Sequence, residues 1–482
     1  MRKPMLILSA VAALAGCAAV GPDHQTPAVA LDDRFISAGS SGVNTQAPAA
    51  DIARFWRGFN DPKLDTLIDR ALAANTDIRL AQARLQEARA LQGEADAASR
   101  PGVGIEGNAQ RSVTPQTQQP GATRSERTRN SFDANFIAGW ELDLFGRLRR
   151  GGEAAAAQVS ASEAGLSAAQ TAVAAEVARN YLDLRGLQER LRVTEASLVN
   201  QRESLRITEA RLEAGRARQL DVAGARALVA STEAIVPALQ TQLEASAYRL
   251  ATLTAQPPRT VLADLALPQP LPSLPVTDLA TLPVGTPQQW LQRRPDVIAA
   301  ERRLAAATAG IGIARSELYP RLSLSGLLGF NASRVSDLFT SEAARYSLGV
   351  GLSWTPFDFG AIRSRIAASE ARAQQSLVGF EQTVALALEE TEGAFSGFNR
   401  NAQRAQRLAE AARHADEASQ LARARFEAGV TDFQAVLQAE REVLNIREQL
   451  TLAEVGTASS LVAVYRAIGG GWTPAASATA AR

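Results

Sequence analysis

One cysteine, two histidines and scattered carboxylates are the groups through which this chain of 482 residues could do chemistry. Cys17 stands out by its setting. Arg2 and Lys3 precede an apolar run from Met5 to Leu14, and Leu14-Ala15-Gly16 leads directly into the cysteine. The run is shorter than the roughly 20 residues that span a bilayer, and small residues before the cysteine suit a signal peptidase. A lone cysteine cannot close an internal disulfide and makes a poor metal site. Acylation of the Cys17 thiol explains both its position and its solitude; an ordinary secretory signal with an incidental cysteine is the plainer alternative. Ala18, not aspartate, follows, the pattern of an outer-membrane rather than an inner-membrane destination.

The other groups do not assemble into chemistry. His24 lies in a disordered-looking start and His414 within a helical run, so neither suggests a metal site or a triad. Glu389 and Glu390 fall in charged helix and read as a solvated face. Gly469-Gly470-Gly471 follows a helix and begins none, so it is not a phosphate loop. No enzyme is expected, and no cofactor beyond a covalent lipid on Cys17. With a net charge of +1 and 5% aromatic residues, no basic field argues for nucleic acid. No later stretch reads as an apolar run long enough for a transmembrane helix, so a membrane crossing would have to be a β-barrel.

The elements behind these residues come in two copies. Trp140 and Gly146 match Trp354 and Gly360, each 214 positions later, and Arg211-Leu212-Glu213-Ala214-Gly215 matches Arg425-Phe426-Glu427-Ala428-Gly429 at the same offset. Asp77 and Pro101 match Asp296 and Pro320 at an offset of 219. Between Pro101 and Trp140, therefore, the first half carries five extra residues, as a surface loop would.

Each half predicts one long helical hairpin. The stretches Arg147–Ala214 and Ala361–Ala428 are rich in Ala, Leu, Glu, Gln and Arg and lack proline, and each would reach roughly 100 Å. Val177, Leu184, Leu191, Leu198, Leu205 and Leu212 recur every seven residues, a coiled-coil seam; Val384, Phe398 and Phe426 form a weaker stripe. Gly215 and Gly429 sit where helix C-caps belong. Return helices carry Val222, Val229, Val236, Leu243 and Leu250, or Val436, Val443, Leu450 and Val464. Pro237 faces Thr451 in the other copy, so only the first return helix should be bent or interrupted.

Shorter helices are expected at about Pro62–Ala98 and Pro295–Leu318. Strands follow, marked by alternation with period two. Leu322, Leu324, Leu328 and Phe330 alternate with small and polar residues, as do Leu348, Val350, Leu352 and Trp354; Phe132, Phe136 and Trp140 mark the first half. Strands of nine to eleven residues suit a tilted membrane crossing, with the apolar face toward lipid and the polar face toward a lumen. A half-buried soluble sheet would alternate equally. Four strands, joined as two hairpins, cannot close a pore, since barrels start near eight; three chains would supply twelve.

Taken in order, these features resemble the TolC-like outer-membrane efflux factors, in particular their lipoprotein branch labelled the NodT family. The resemblance rests on the Cys17 signal, Phe55-Trp56 followed by Asp61-Pro62-Lys63-Leu64 and Leu67-Ile68, Arg293-Arg294-Pro295-Asp296-Val297, Trp140 with Phe145-Gly146, and the paired Glu-Ala-Gly tips. It covers Cys17 to about Trp472. It implies a mainly α fold with a small β part and a homotrimer with a shared 12-stranded barrel in the outer membrane. Helical hairpins extend into the periplasm, tips at Gly215, Gly429, Glu213 and Glu427 contact a periplasmic adaptor, and an inner-membrane RND-type transporter supplies energy. It also implies a passive duct gated near its tips, for which Asp221, Asp432 and Arg218 are candidates. Ala435 and Gln438 stand where some relatives carry carboxylates, which puts a copied salt-bridge lock in doubt. A type I protein-secretion duct and a periplasmic coiled-coil lipoprotein are the alternatives.

The expected organisation is a signal peptide over 1–16, a lipidated extended segment over 17–60 and a first repeat over 61–270, with strands near 102–111 and 131–141 and a hairpin over 147–255. A linker over 271–294 leads to a second repeat over 295–470, with strands near 321–331 and 346–355 and a hairpin over 361–468. A tail over 471–482 ends the chain.

Overall fold

The structure, a computed structural model, describes residues 19–37, 49–276, 279 and 286–470. Cys17 and the signal, part of the 17–60 segment, part of the linker and the whole 471–482 tail lie outside the described residues. The chain divides into two compact units. One draws on Met1–Ala28, Leu85–Ser162 and Ala300–Phe380, the other on Val29–Arg84, Glu163–Ala299 and Glu381–Arg482.

The first unit holds a four-stranded antiparallel sheet in the order β1-β2-β3-β4. Its strands are β1 (Gly102–Val113), β2 (Thr128–Leu142), β3 (Arg321–Ala332) and β4 (Ala344–Ser353). The last expected strand is displaced by two residues, which leaves Trp354 just beyond it. Each hairpin comes from one repeat, and β2 pairs with β3 to join them: Phe136 lies opposite Leu328 and Trp140 opposite Leu324. The outer sides of β1 and β4 carry no partner strand among the described residues.

Helices α1 (Pro62–Ala74) and α2 (Thr76–Ala98) replace the single expected helix. The break is at Asn75, whose Oδ1 accepts from the Asp77 and Ile78 amides at 2.8 and 3.3 Å while its Nδ2 donates to the Leu253 carbonyl at 2.9 Å. Asp61 caps α1 by accepting from the amides of Lys63 and Leu64. It also receives the Tyr181 hydroxyl at 2.5 Å. Burial and that carboxylate push the phenol upward.

Helix α3 spans Arg147–Glu213, as the composition predicts. Its return is broken into α4 (Gln219–Glu233) and α5 (Ile235–Leu253) at Ala234. Pro237 has no amide to give the carbonyl of Glu233, so the ladder fails there. Short helices α6 (Pro258–Leu265) and α7 (Pro287–Leu291) lead to α8 (Pro295–Ser316). In the second hairpin α9 (Ala361–Glu427) is followed by an unbroken α10 (Phe433–Ala467).

Gln219–Leu253 does have the length and apolar composition of a membrane span, contrary to the expectation that none would. Its interruption at Ala234, the ion pair between Glu233 and Arg202 at 2.6 Å, and the buried stripe Val222, Ala225, Leu228, Val229, Leu239 and Leu250 assign it to helix packing. The leucine seam of α3 is also more polar than expected. Thr194, Gln201 and Thr208 are as buried as Leu198, whereas Leu191, Leu205 and Leu212 are half-buried. Gly186 on α3 faces Val455 on α10 so closely that a Cβ there would run into the valine.

The duplication reaches individual hydrogen bonds. Trp140 Nε1 donates to the Ser99 carbonyl and Trp354 Nε1 to that of Leu318, both at 3.0 Å. Asn75 reaches Leu253 as Arg294 reaches the Ala467 carbonyl, both at 2.9 Å. Each donor and acceptor is the repeat counterpart of the other.

Candidate functional site

Three regions carry the expected functional residues. In the sheet, the register puts Phe132, Phe136 and Trp140 of β2, Leu322, Leu324 and Phe330 of β3, and Leu348, Val350 and Leu352 of β4 on one face. Val103 and Ile105 of β1 join them. The face is open: Phe136, Leu348, Val350 and Leu352 are 58%, 88%, 70% and 69% exposed. Uncovered apolar area on this scale marks a surface meant for an apolar medium or a partner.

The opposite face is polar, with one device that the alternation alone did not reveal. Gly329 of β3 has no side chain, so the Arg345 guanidinium on β4 reaches across it to Asn135 Oδ1 at 3.2 Å and to Asp133 at 3.0 Å on β2. Asn331 donates to Asp133 at 2.7 Å. A Cβ at Gly329 would strike the Ala134 carbonyl and the Asn135 side chain. The Asp133 and Arg345 charges on this face are thus neutralised in place.

The second region is the start of the chain. The expectation of a disordered start is corrected for residues 19–37, which lack local order signals but gain tertiary partners. Arg150, 5% exposed, donates to the Val20 and Gly21 carbonyls at 3.3 Å each and to Asp23 at 2.7 Å. His24 Nε2 lies 2.6 Å from Glu301 Oε1. In the second unit, Phe35 sits edge-on to Trp290 and Phe395, with centroids 5.5 and 5.4 Å away, and Glu392 accepts from the amides of Ile36 and Ser37. The described segment is therefore clamped at Val20–His24 and again at Phe35–Ser37.

The third region is the pair of hairpin tips. Gly215 and Gly429 have φ of +67° and +73°, the left-handed conformation in which glycine carries no Cβ penalty. Gly215 donates to the Leu212 carbonyl at 2.9 Å and Arg216 to that of Arg211 at 2.7 Å; Gly429 and Val430 repeat this on Phe426 and Arg425, both at 2.9 Å. Both tips are Schellman caps, with Glu213 and Glu427 exposed beside them.

The candidate gate charges turn out to begin the return helices. Arg218 and Asp432 are repeat counterparts, and each occupies the N-cap. Asp432 accepts from the Ala435 amide at 3.3 Å. Arg218 cannot accept, and Asp221, three residues on, supplies the carboxylate by taking the Arg218 amide at 3.0 Å. Each return helix thus has one acid against its positive end; Ala435 is the counterpart of Asp221, which explains why no carboxylate is needed there. Asp221 has only 7% of its side chain exposed and lies 3.3 Å from the Arg218 guanidinium. Arg218 and Asp432 remain exposed.

Around the tips, Ala225 and Leu228 of α4 pack on Phe433, Val436 and Leu437 of α10, with Leu205 and Phe426 at the rim. Arg211 spans the hairpins: its guanidinium donates to the Phe426 and Glu427 carbonyls, at 2.9 Å each, and lies 4.3 Å over the Phe426 ring. Farther along, Glu440, 6% exposed, accepts from Ser204 at 2.7 Å and Arg423 at 2.8 Å. Two carboxylates are held above their ordinary range, half-buried Asp183 of α3 by burial despite Arg179, and Glu454 of α10, more exposed, by partial desolvation and then by Glu189. Sequence reasoning passed over Arg211, Arg423 and Glu440; for Arg211 the usable signal was its recurrence as Arg425.

Comparison with known proteins adds four findings. The family described as outer membrane efflux protein matches residues 67–256 and 286–470, one match per repeat. The chain is 32% identical over 444 residues to the pyoverdine export outer membrane protein OpmQ of Pseudomonas putida, covering 90% of this chain and 91% of that protein. It is 29% identical to nodulation protein T of Rhizobium leguminosarum bv. trifolii, covering 96% and 97%. Among solved structures, the outer-membrane channel OprN superposes with a TM-score of 0.87 at 39% identity, covering 94% of this chain and 99% of that one.

Proposed function

This chain belongs to the outer membrane efflux protein family and is an outer-membrane channel component of an efflux system, and from that premise we propose that three copies assemble into one passive duct. The observation that carries the proposal is the sheet: four strands, two edges unpaired among the described residues, and an uncovered apolar face. A single copy leaves the hydrogen-bonding groups of β1 and β4 unmet, which hydrocarbon does not tolerate. Three copies supply twelve strands, enough to close a barrel, with Phe136, Leu348, Val350 and Leu352 toward lipid and the Asp133–Arg345 side toward the lumen.

The helical hairpins then form the periplasmic conduit. Their tips at Gly215 and Gly429, with Glu213 and Glu427, offer themselves to a periplasmic adaptor that couples the duct to an inner-membrane RND-type transporter. Asp432 and Arg218 line the constriction, while Asp221 acts on it only by holding Arg218. A lipid on Cys17 anchors the start of the chain, and the clamp around Arg150 transmits that anchor to the fold. Cargo is of the small-molecule class, and the duct itself performs no chemistry and takes no cofactor.

Purified in detergent, the protein should have the mass of three chains and conduct ions across a planar bilayer. A single-chain mass without conductance overturns the assembly. Mass spectrometry should find the lipid on the native chain and not on Cys17→Ser; lipid retained by that variant overturns the anchor.

A further inference from the structure

We propose that Phe359 of one copy stacks on the Arg100 guanidinium of a second copy, a contact that fixes the register of β4 against the neighbouring β1 where strand turns into helix. The inference rests on the trimeric reading above and deepens it by naming the residues that the two copies bring together.

Within one chain the corresponding junction is closed by two rings. Phe145, just past the end of β2, stacks on Tyr319, just before β3, with centroids 4.6 Å apart and planes 18° from parallel. The repeat offsets carry this pair to a second junction: Phe359 lies 214 positions after Phe145, and Arg100 lies 219 before Tyr319. Those offsets hold across the sheet. They turn the pair Gly102 and Gly139 of the first hairpin into Arg321 and Ser353, which do lie opposite each other in the second.

Applied to the seam between β2 and β3, the same offsets give the seam between β4 and the β1 of a second copy. Phe136 opposite Leu328 becomes Val350 opposite Ala109, and Trp140 opposite Leu324 becomes Trp354 opposite Ile105. The faces agree, since Ala109 lies opposite Phe132 and Ile105 opposite Phe136 on the apolar side of β2. A shift by one residue would set apolar side chains against the polar face. A shift by two would keep the faces but carry Phe359 about 7 Å away from Arg100, so the stacked pair selects among the registers that the pleat allows.

Both partners are uncommitted in their own chain. Phe359 is fully exposed and held at a φ of +53°, a left-handed conformation that costs a bulky residue energy. Arg100 is exposed, and among the described residues no hydrogen bond or ion pair holds its guanidinium. A planar guanidinium lies over a ring much as Tyr319 lies over Phe145. The internal seam also has a support that the seam between copies lacks. Val20 donates to the Phe145 carbonyl at 3.1 Å, and Ala19 covers Gly146, whereas Gly360 faces open space. The ring and the cation therefore carry a larger share of the contact between copies.

The test uses the full chain purified in detergent, whose only native cysteine is Cys17. Under mild oxidation, Val350→Cys with Ala109→Cys should give linked dimers and trimers on a denaturing gel. The yield should be roughly tenfold that of Val350→Cys with Gly107→Cys, whose sulfurs start too far apart. Arg100→Met should speed dissociation of the trimer in a denaturing detergent roughly threefold or more. Arg100→Tyr, which rebuilds the ring pair seen at Phe145 and Tyr319, should bring the rate back to native. A trimer that links no better through the predicted pair than through the shifted one, or whose rate is the same in Arg100→Met and Arg100→Tyr, overturns the contact and leaves the assembly standing. A native monomer overturns the assembly beneath it.

Discussion

Removing Arg423 should loosen the second hairpin far more than its partly exposed position suggests. Glu440 is buried, and its Oε1 is held by Ser204 at 2.7 Å and Arg423 at 2.8 Å. Its Oε2 is buried without a protein partner. In Arg423→Met the carboxylate keeps one hydroxyl and no cation, and an unpaired buried charge costs roughly 3–5 kcal/mol. Arg423 has 33% of its side chain exposed, so water can enter behind it and the lower end of that range applies. Hydrogen exchange at the start of α10 reads the cost directly, because local opening sets the rate there. Three kcal/mol corresponds to roughly a hundredfold loss of protection. Glu440→Leu should cost less, since the guanidinium it strands can turn to solvent. The double variant should recover to within about 2 kcal/mol of the native chain, as apolar replacement of a buried pair commonly does. Protection in Arg423→Met that stays within tenfold of native, or a double variant no better than the single, refutes the reasoning.

Gly186→Ala gains about 1 kcal/mol of helix propensity but collides with Val455, a stiff β-branched neighbour, at a cost of about 1–3 kcal/mol. Thermal melting should show a net loss that Val455→Ala relieves, and absence of coupling between the two would place α3 and α10 differently. Asp432→Asn keeps an equally good N-cap while removing the charge, so it should lower cation selectivity in bilayers at a stability cost below about 1 kcal/mol. Asp221→Ala should instead cost α4 about 1 kcal/mol, seen as faster exchange at Val222 to Ala225, and leave selectivity nearly native. Asp183→Asn and Glu454→Gln should stabilise the chain at neutral pH. Both acids are raised in the fold, so their ionised forms oppose folding; the advantage should vanish in melts as pH falls below the ordinary carboxylate range.

The long elements were legible because their signals are local and repeated. Arg147–Glu213 and Ala361–Glu427 follow from composition and the glycines that end them, and Pro237 foretold the break at Ala234. Strand alternation gave the faces and the hairpins. Less could be read where tertiary partners decide. Nothing near Asn75 announces a helix break, because its amide answers to Leu253, 178 residues away. The order of residues 19–37 comes from Arg150, Glu301, Trp290 and Glu392. Asp221 looked like a solvent-facing charge because sequence does not show that its counterpart helix had moved its own carboxylate to the N-cap. The interior of α3 near Thr194 and Gln201 is polar although the leucine repeat suggested an apolar seam, since the buried stripe runs between two heptad positions.

The central claim is that the sheet edges are closed by other copies of the chain. Hydrogen exchange on the detergent-purified protein tests it at β1 and β4, at the amides that point away from β2 and β3. In the assembled barrel these amides, along Gly102–Val113 and Ala344–Ser353, should exchange as slowly as those of β2 and β3. Rapid exchange at alternate residues of both strands, the pattern of an open edge, would contradict the account.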